Sequence, residues 1–198
     1  CPAPCEAACV AGLSTEPVTI RQIELAIIER GFEDGCFEER PKRQNLTKRV
    51  AVVGAGPAGL AVADTLNKIG YNTVVYESAP KPGGILMYGI PDFKLEKWVV
   101  SRRIELMESQ GVVFESGVRV GHDLSFRYLN NRFDAVCLAC GAREPRDLEI
   151  PGRELGNIHF AMDYLTGHNL LIAGESETNA QVISARDKKV LVIGGGDT

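Results

Sequence analysis

Residues 48–77 read KRVAVVGAGPAGLAVADTLNKIGYNTVVYE and carry the clearest structural pattern in the chain. The apolar, β-branched run 50–53 predicts a buried parallel strand, and it ends at a G-x-G-x-x-G turn, residues 54–59. Small apolar residues with helical spacing follow the turn. A second apolar run, 73–76, then ends on Glu77. This order of elements predicts a dinucleotide-binding βαβ unit.

Each residue type in the turn has a physical reason. Gly54 permits a tight turn, Gly56 lets the backbone approach a pyrophosphate, and Gly59 lets the helix pack close to the strand. Pro57 suits the first helical turn, and the free N–H groups there favour phosphate binding. Glu77 is expected to accept hydrogen bonds from ribose hydroxyls. The alternative is an ordinary structural turn, but the spacing of all four parts favours a nucleotide site.

The composition is that of an ordinary globular protein. The 198 residues are 44% hydrophobic and 24% charged, with a net charge of −4. This charge gives no reason to expect nucleic acid or an anionic membrane as a partner. No apolar run approaches the roughly 18 residues that a membrane span needs. We therefore expect a cytoplasmic location. Because the sequence begins at Cys1 and ends inside an apparent motif at Thr198, we interpret it as a fragment.

Three of the six cysteines lie within the first nine residues, CPAPCEAAC. Cys1, Cys5 and Cys9 have C-x3-C-x3-C spacing, which lets thiolates converge on iron or zinc. A disulfide arrangement would leave one of the three unpaired. Structural zinc and iron–sulfur clusters normally take four ligands, so further ligands would be needed. The clustering favours metal ligation in a reducing compartment.

Residues 19–30, TIRQIELAIIER, predict a helix. Thr19 and Gln22 form a candidate capping box, and Gly31 stands where a glycine is expected to end the helix. The apolar face is marked by three isoleucines, Ile20, Ile23 and Ile27. Glu24 shares this face, and an unpaired buried carboxylate would be costly. It either pairs with Arg21 or Arg30 or points at a cationic centre.

A basic, proline-containing stretch, RPKRQNLTK at 40–48, separates the cysteine-bearing segment from the βαβ unit. We interpret it as a solvated linker in preference to a nucleic-acid patch. It divides the chain into a cysteine-bearing helical segment at 1–40, a linker at 41–48 and the part that begins with the βαβ unit.

The middle of the chain predicts further αβ structure. Gly83-Gly84 supplies a second close backbone approach, and Gly111 ends an amphipathic helix whose Trp98 and Met107 we expect in the core. The remaining predicted elements are helices at 95–110 and 161–171 and strands at 112–114, 118–120 and 133–139.

Cys137 and Cys140 form a C-x-x-C pair at the end of a predicted strand. Residues three apart in a strand lie about 10 Å from each other, too far for a disulfide. We therefore interpret both as buried small apolar residues, not as a redox pair. No matching metal ligands accompany His122, His159 or His168, which we interpret as structural or surface residues.

The opening pattern restarts near the end, at KKVLVIGGGDT, residues 188–198. A basic pair again precedes a β-branched run and a glycine turn. Two dinucleotide sites in one chain imply a flavin beside a nicotinamide, with hydride passing between the two rings. A metal-binding cysteine cluster would let electrons leave the flavin one at a time.

Several motifs together resemble the small (beta) subunit family of bacterial glutamate synthases. They are CPAPCEAAC, PVTIRQIE, VAVVGAGPAGLA, GGILMYGIPDFKLEK, RRIELM, PRDLEIPGRE, IHFAMDYLT and VLVIGGGDT, and they cover essentially the whole chain. The resemblance implies an α/β, Rossmann-like flavoprotein fold with two dinucleotide sites. It also implies a small α-helical iron–sulfur segment before that fold. The predicted domains are then a partial α-helical iron–sulfur domain at 1–40, a linker at 41–48, the first part of an FAD-binding domain at 49–186 and the start of an NAD(P)-binding domain at 187–198.

The resemblance also implies cofactors and the residues that bind them: FAD, NAD(P)H and two 4Fe-4S clusters. One cluster would be held by Cys1, Cys5 and Glu24, and the other by Cys9. With Pro57 of the fingerprint, FAD would be lined by Gly54, Gly56, Ala58, Gly59, Glu77, Gly84, Ile85, Lys94 and Val120. The NAD(P) site would begin with Gly194, Gly196 and Asp197. One departure is Cys140, which stands where the family has threonine.

By the same resemblance, NAD(P)H would reduce FAD, and electrons would cross the clusters to a glutamate synthase large (alpha) subunit. That subunit would make glutamate from 2-oxoglutarate and glutamine. This 198-residue piece alone is expected to be inactive. One alternative is the flavin subunit of a related ferredoxin–NADP transhydrogenase or dihydropyrimidine dehydrogenase. Another is a non-catalytic FAD-binding module.

Overall fold

A parallel sheet organises the part of the chain that follows residue 46. The computed structural model describes residues 3–37, 46–175 and 182–194, and within them four strands lie in the order β3-β2-β1-β4. The strands are β1 (Arg49–Val53), β2 (Asn72–Glu77), β3 (Val113–Ser116) and β4 (Ala135–Leu138). All three pairings are parallel. This is the α/β, Rossmann-like fold that the sequence predicts.

Parallel strands need crossover connections, and helices supply them. The helices of the described residues are α1 (Pro4–Ala7), α2 (Ile20–Glu33), α3 (Pro57–Ile69), α4 (Ile85–Tyr88), α5 (Lys97–Ser109), α6 (Phe126–Arg132) and α7 (Ala161–Ile172). Of these, α3 connects β1 to β2, and α6 connects β3 to β4. None of the described helices combines the length and the apolar character needed to cross a membrane.

Both faces of the sheet are covered by apolar side chains. On one face, strand residues pack with α3 and α5 in a cluster that includes Val52, Leu60, Val75, Ile104 and Met107. On the other face, a second cluster is formed by Ala51, Val53, Leu129 and Phe133. A strand that is buried on both faces must be apolar at every position, which explains the continuous run in β1.

Most of the predicted elements are confirmed. The strand, helix and second strand of the βαβ unit appear as β1, α3 and β2. The helices predicted at 95–110 and 161–171 are α5 and α7, and Gly111 follows α5 with a φ of 97°. The strands predicted at 112–114 and 133–139 are present as β3 and β4 with different ends.

The strand predicted at 118–120 is wrong. Only Val120 makes a bridge, to Leu124. The preceding residues bond the end of β2 and the loop after it, since Val118 N–H donates to Glu77 O and Gly117 N–H donates to Ala79 O. The segment therefore makes a few backbone contacts but does not form a strand of its own.

The burial prediction for Trp98 is also wrong, whereas Met107 is buried as expected. The Trp98 indole N–H donates to a Glu96 carboxylate oxygen at 2.9 Å. The Arg102 guanidinium lies 4.8 Å from the centroid of the indole ring. Polar partners at the surface therefore hold this side chain outside the core.

The C-x-x-C cysteines are not the buried residues that the sequence predicts. Cys137 is half-buried and Cys140 is exposed, and both are free thiols. They lie on and just beyond β4, which is an edge strand of the sheet and is therefore less covered.

The surface interpretation holds for His122 and His159, which are exposed. His168 stacks on Tyr164 with ring centroids 4.3 Å apart.

The second glycine pattern does not form the predicted strand in the described residues 188–194. The side chains of 190–193 are exposed. None of the four strands pairs with this run. Its backbone therefore has no ladder partner, and its β-branched side chains have no core to enter.

The described residues form two compact units, one of 3–37 with Gly194 and one of 46–175 with 182–193.

The helix predicted at 19–30 is α2, but Thr19 makes no side-chain cap, so the capping box is wrong. Gly31 lies inside α2 and does not end it. A Cβ at Gly31 would lie 2.8 Å from the Phe37 ring, so its small size serves packing. Of the predicted linker, 41–45 lies outside the described residues.

Candidate nucleotide-binding site

The turn after β1 is shaped by close backbone contact. Gly54 has a φ of 104°, a conformation that favours glycine. Its N–H donates to Tyr76 O at 2.8 Å. A Cβ at Gly54 would lie 2.3 Å from Ala139 O, at the end of β4. This glycine is therefore needed both for the turn and for the contact with the neighbouring strand.

Gly59 brings α3 against the same turn. A Cβ at this position would lie 1.8 Å from Gly54 O, closer than any real contact allows. The close packing of helix on strand that the third fingerprint glycine predicts is present here.

Gly56 differs from the other two glycines, because the protein itself leaves room for a side chain there. Its φ of −74° and ψ of −176° suit any residue. The nearest atom to a Cβ at Gly56 would be Gly84 Cα, at 4.0 Å. Neither backbone strain nor packing explains this glycine. An open cradle that a Cβ would fill is the feature that a bound pyrophosphate requires, so the residues fit a dinucleotide.

The N-terminus of α3 faces this cradle with unbonded donors. Pro57 has no N–H, and no side chain caps the helix. The N–H groups of Ala58 and Gly59, in the first turn, therefore have no acceptor within the helix. They add to the partial positive charge at the helix end, which favours an anion.

The Gly83-Gly84 loop packs directly on the first turn, as its glycines suggest. Gly83 N–H donates to Ala55 O at 2.8 Å. A Cβ at Gly84 would lie 2.7 Å from Gly56 Cα, and the φ of Gly84 is 53°. Ile85 begins α4 immediately afterwards and is exposed. The two glycine segments thus form one continuous wall of backbone.

Glu77 lies at the end of β2 but does not present a free carboxylate. It is 4% exposed. One carboxylate oxygen accepts from Ala55 N–H at 2.8 Å, and the other accepts from Ala79 N–H at 2.8 Å and from the Ser78 hydroxyl at 3.0 Å. Three of about four acceptor positions are used, which leaves capacity for one further donor. Its first role in this structure is to hold the glycine turn.

Arg143 contacts the residues at the end of β2, which the sequence reasoning did not anticipate. It lies in the loop after β4, and its Nη2 donates to Ser78 Oγ at 2.6 Å. The same nitrogen lies 3.7 Å from a Glu77 carboxylate oxygen. The signal available in the sequence was its position just beyond the carboxyl end of a strand, where ligands of parallel sheets bind.

Two other predicted cofactor residues have less definite positions. Val120 is half-buried and packs against the cluster around Ala51 and Val53, under the ends of β1 and β2. Lys94 is exposed in the segment before α5, where its N–H donates to Pro91 O at 3.0 Å. Gly194 is described, whereas Gly196 and Asp197 lie outside the described residues.

The described cysteines of the predicted metal site lie near α1. Cys5 is exposed and Cys9 is half-buried, while Cys1 lies outside the described residues. Backbone N–H groups of Val18 and Ala11 bond the Cys9 sulfur and lower the pKa of its thiol. Such bonds stabilise a thiolate, the form that ligates a metal. Among the residues the structure describes, no three potential ligands converge.

Glu24 is not on a buried face. All the apolar residues of α2 are at least partly exposed, Ile27 by 67%, and Glu24 itself is exposed. Arg30 bonds Asp34 at 2.8 Å and not Glu24. The argument from buried charge therefore fails in this structure. The ligand assignment stays a prediction that rests on the resemblance alone.

Comparison with known proteins places the chain among its relatives. A family model described as pyridine nucleotide-disulphide oxidoreductase matches residues 48–198. The chain is 49% identical, over its full length, to the glutamate synthase (NADPH) small chain of Mycobacterium tuberculosis, covering 41% of that protein. It is 48% identical to the glutamate synthase (NADH) of Schizosaccharomyces pombe, again over its full length, and covers 10% of that protein.

A solved structure shares the fold. The FprA protein of Mycobacterium tuberculosis, determined in complex with NADPH, is similar with a TM-score of 0.56 and 29% identity. The match covers 62% of this chain and 29% of FprA. The chain thus spans well under half the length of the relatives that it matches.

Proposed function

The chain belongs to the pyridine nucleotide-disulphide oxidoreductase family, and from this premise we propose that it binds FAD at the turn 54–59. We further propose that it forms part of the electron-input chain of a glutamate synthase. NAD(P)H would reduce the flavin, and electrons would leave through 4Fe-4S clusters towards a large subunit. Bound flavin supplies the conversion between hydride and single electrons.

The observation that carries this proposal is the vacant space at Gly56. The other turn glycines are explained by the protein's own contacts, whereas Gly56 is bounded only by Gly84 Cα at 4.0 Å. A ligand atom is the remaining physical reason for a missing side chain. The donors at the start of α3 lie beside this space and suit a pyrophosphate.

Different residues of the chain would bind different parts of FAD. Ala58 and Gly59 would donate their N–H groups to the phosphates, while Gly84 and Ile85 would close the opposite wall. Glu77 has one acceptor position left for a ribose hydroxyl. Lys94 and Val120 would complete the FAD site.

The remaining cofactor assignments rest on the resemblance and on the named relatives. Gly194, Gly196 and Asp197 would begin the nicotinamide site. One iron–sulfur cluster would take Cys1, Cys5 and Glu24, and the other would take Cys9. The relative named a small chain supports a large-subunit partner.

Either NADPH or NADH could supply the hydride, since one relative is named for each nucleotide. A second candidate function is a flavin module that delivers electrons to a different acceptor. FprA, which was determined in complex with NADPH and is not named a glutamate synthase, shares the fold, and this favours keeping the alternative. Glutamate formation by the purified protein with its large chain, driven by either nucleotide, would decide between the two.

The FAD site is tested by Gly56→Val. The variant should fold, because a Cβ at position 56 has only Gly84 Cα near it, at 4.0 Å, but its flavin content should fall about tenfold or more, a loss of at least ~1.4 kcal/mol in binding. Gly156→Val is the matched control, since a Cβ there meets nothing within 4 Å. Flavin absorbance per protein measures the outcome. Full flavin content in correctly folded Gly56→Val would place the site elsewhere.

A further inference from the structure

Arg143 lies near the place where the strand order reverses: β2 and β3 lie on one side of β1, and β4 lies on the other. Its backbone follows β4, while its guanidinium bonds Ser78 at the end of β2. Strand β1 stands between these two strands. The loop after β4 and the Arg143 side chain together therefore span the carboxyl end of β1, where the glycine turn begins. In open parallel sheets, this reversal of strand order is where ligands bind.

The partners of Arg143 form a continuous hydrogen-bonded chain. Arg143 donates to the Ser78 hydroxyl at 2.6 Å, and that hydroxyl donates to Glu77 at 3.0 Å. Glu77 in turn accepts from Ala55 N–H, inside the glycine turn. The guanidinium is thereby held at the edge where the acidic residue of such folds meets the ribose.

The guanidinium retains donors for a ligand. The Arg143 side chain is 63% exposed, and a guanidinium has five N–H donors in a planar fork. Such a fork matches the oxygens of a phosphate and can bond two of them at once. The uncapped start of α3 is the other source of positive charge at this turn.

We propose that Arg143 is a binding residue for the adenosine diphosphate part of the dinucleotide. This inference rests on the proposed FAD site and adds a side-chain contact to a site otherwise built from backbone. Ser78 holds the guanidinium in position before the nucleotide arrives. The contact slows the release of the nucleotide and raises its affinity.

The test compares Arg143→Ala, Arg143→Lys and Arg146→Ala in the complete protein after its flavin has been removed. Calorimetry measures the affinities for FAD and for ADP. Arg143→Ala should weaken both by about tenfold, the effect of losing ~1.4 kcal/mol. Arg143→Lys should keep part of the affinity, because the charge remains but the fork is lost. Arg146→Ala removes an exposed arginine from the same loop and should change neither affinity.

Each outcome has a distinct meaning. If the unsubstituted protein binds no FAD, the proposed function fails and this inference falls with it. If FAD binds and Arg143→Ala retains full affinity for FAD and ADP, only the inference is overturned. Weaker FAD binding with unchanged ADP binding would move Arg143 away from the adenosine end and overturn it as well. A lower melting temperature of the flavin-free variant, with affinities unchanged, would make Arg143 purely structural.

Discussion

Residues 48–54 and 188–194, KRVAVVG and KKVLVIG, have nearly the same sequence pattern but different structures. The glycine that ends each run has almost the same backbone conformation, with a φ of 104° at Gly54 and 108° at Gly194. The runs before them differ completely. The first is a central strand and the second is not a strand. The turn is therefore a local property of the sequence, whereas the strand is not.

The difference arises from neighbours. β1 pairs with a strand on each side. The Val52 side chain is fully buried among side chains of α3, α5 and β2. Val192, at the corresponding position, is 77% exposed. A β-branched run becomes a strand only where other strands bond its backbone and other side chains cover its own.

The largest expected effect comes from placing alanine at the two glycines. Both substitutions strain a left-handed backbone, at a cost of about 1 kcal/mol. At Gly54 the new Cβ also lies 2.3 Å from Ala139 O, whereas at Gly194 it meets nothing within 4 Å. Chemical denaturation should show a loss of about 3 kcal/mol or more for Gly54→Ala and about 1 kcal/mol for Gly194→Ala.

Equal losses for the two glycine variants would mean that the contact between Gly54 and the end of β4 does not constrain the fold. The two runs would then differ less than the structure indicates.

A smaller effect is expected when one valine in each run is shortened. Val52→Ala leaves a cavity in a packed core and should lower the free energy of unfolding by about 2 kcal/mol. Val192→Ala removes surface that is already in water and should change it by less than about 0.5 kcal/mol. Thermal and urea unfolding of the two variants measure this difference. A comparable loss for Val192→Ala would show that the second run is packed as a strand.

Local features of the site were predictable from the sequence. The spacing of the glycines identified the turn, and Gly59 and Gly83-Gly84 make the close approaches that their lack of a side chain suggests. The order strand, helix, strand was predictable because each element has its own periodicity. These features depend on residues close together in the chain.

Features that depend on distant partners were not predictable. Glu77 was expected to face a ribose, but its oxygens hold Ala55 and Ala79 in this structure. Arg143 reaches Ser78 across 65 positions in sequence. The face of Glu24 was predicted to be buried from periodicity alone. Periodicity shows which residues share a side of a helix but not whether anything covers that side.

The smallest expected effect concerns the basic residues that begin the two runs. Lys48 bonds Asp134 at 2.6 Å, which joins the start of β1 to the start of β4. Within the described residues, Lys188 has no carboxylate partner. The Lys48 hydrogen bond lowers the pKa of Asp134, assisted by Arg49 N–H, and the same bond raises the pKa of Lys48. Both groups are at the surface, so the contribution to stability is small.

The sign of the pH dependence follows from these two shifts. The lowered pKa of Asp134 gives stability that is present above its unfolded value, about 3.9, and is lost as the pH falls through the folded value. The raised pKa of Lys48 gives stability that is lost as the pH rises through its folded value, above about 10.4. Lys48→Met should abolish the alkaline loss and reduce the acid loss, because Arg49 N–H still bonds Asp134. Lys188→Met should leave the profile of unfolding free energy against pH unchanged. Identical profiles for Lys48→Met and the unsubstituted protein would show that the ion pair does not form in solution.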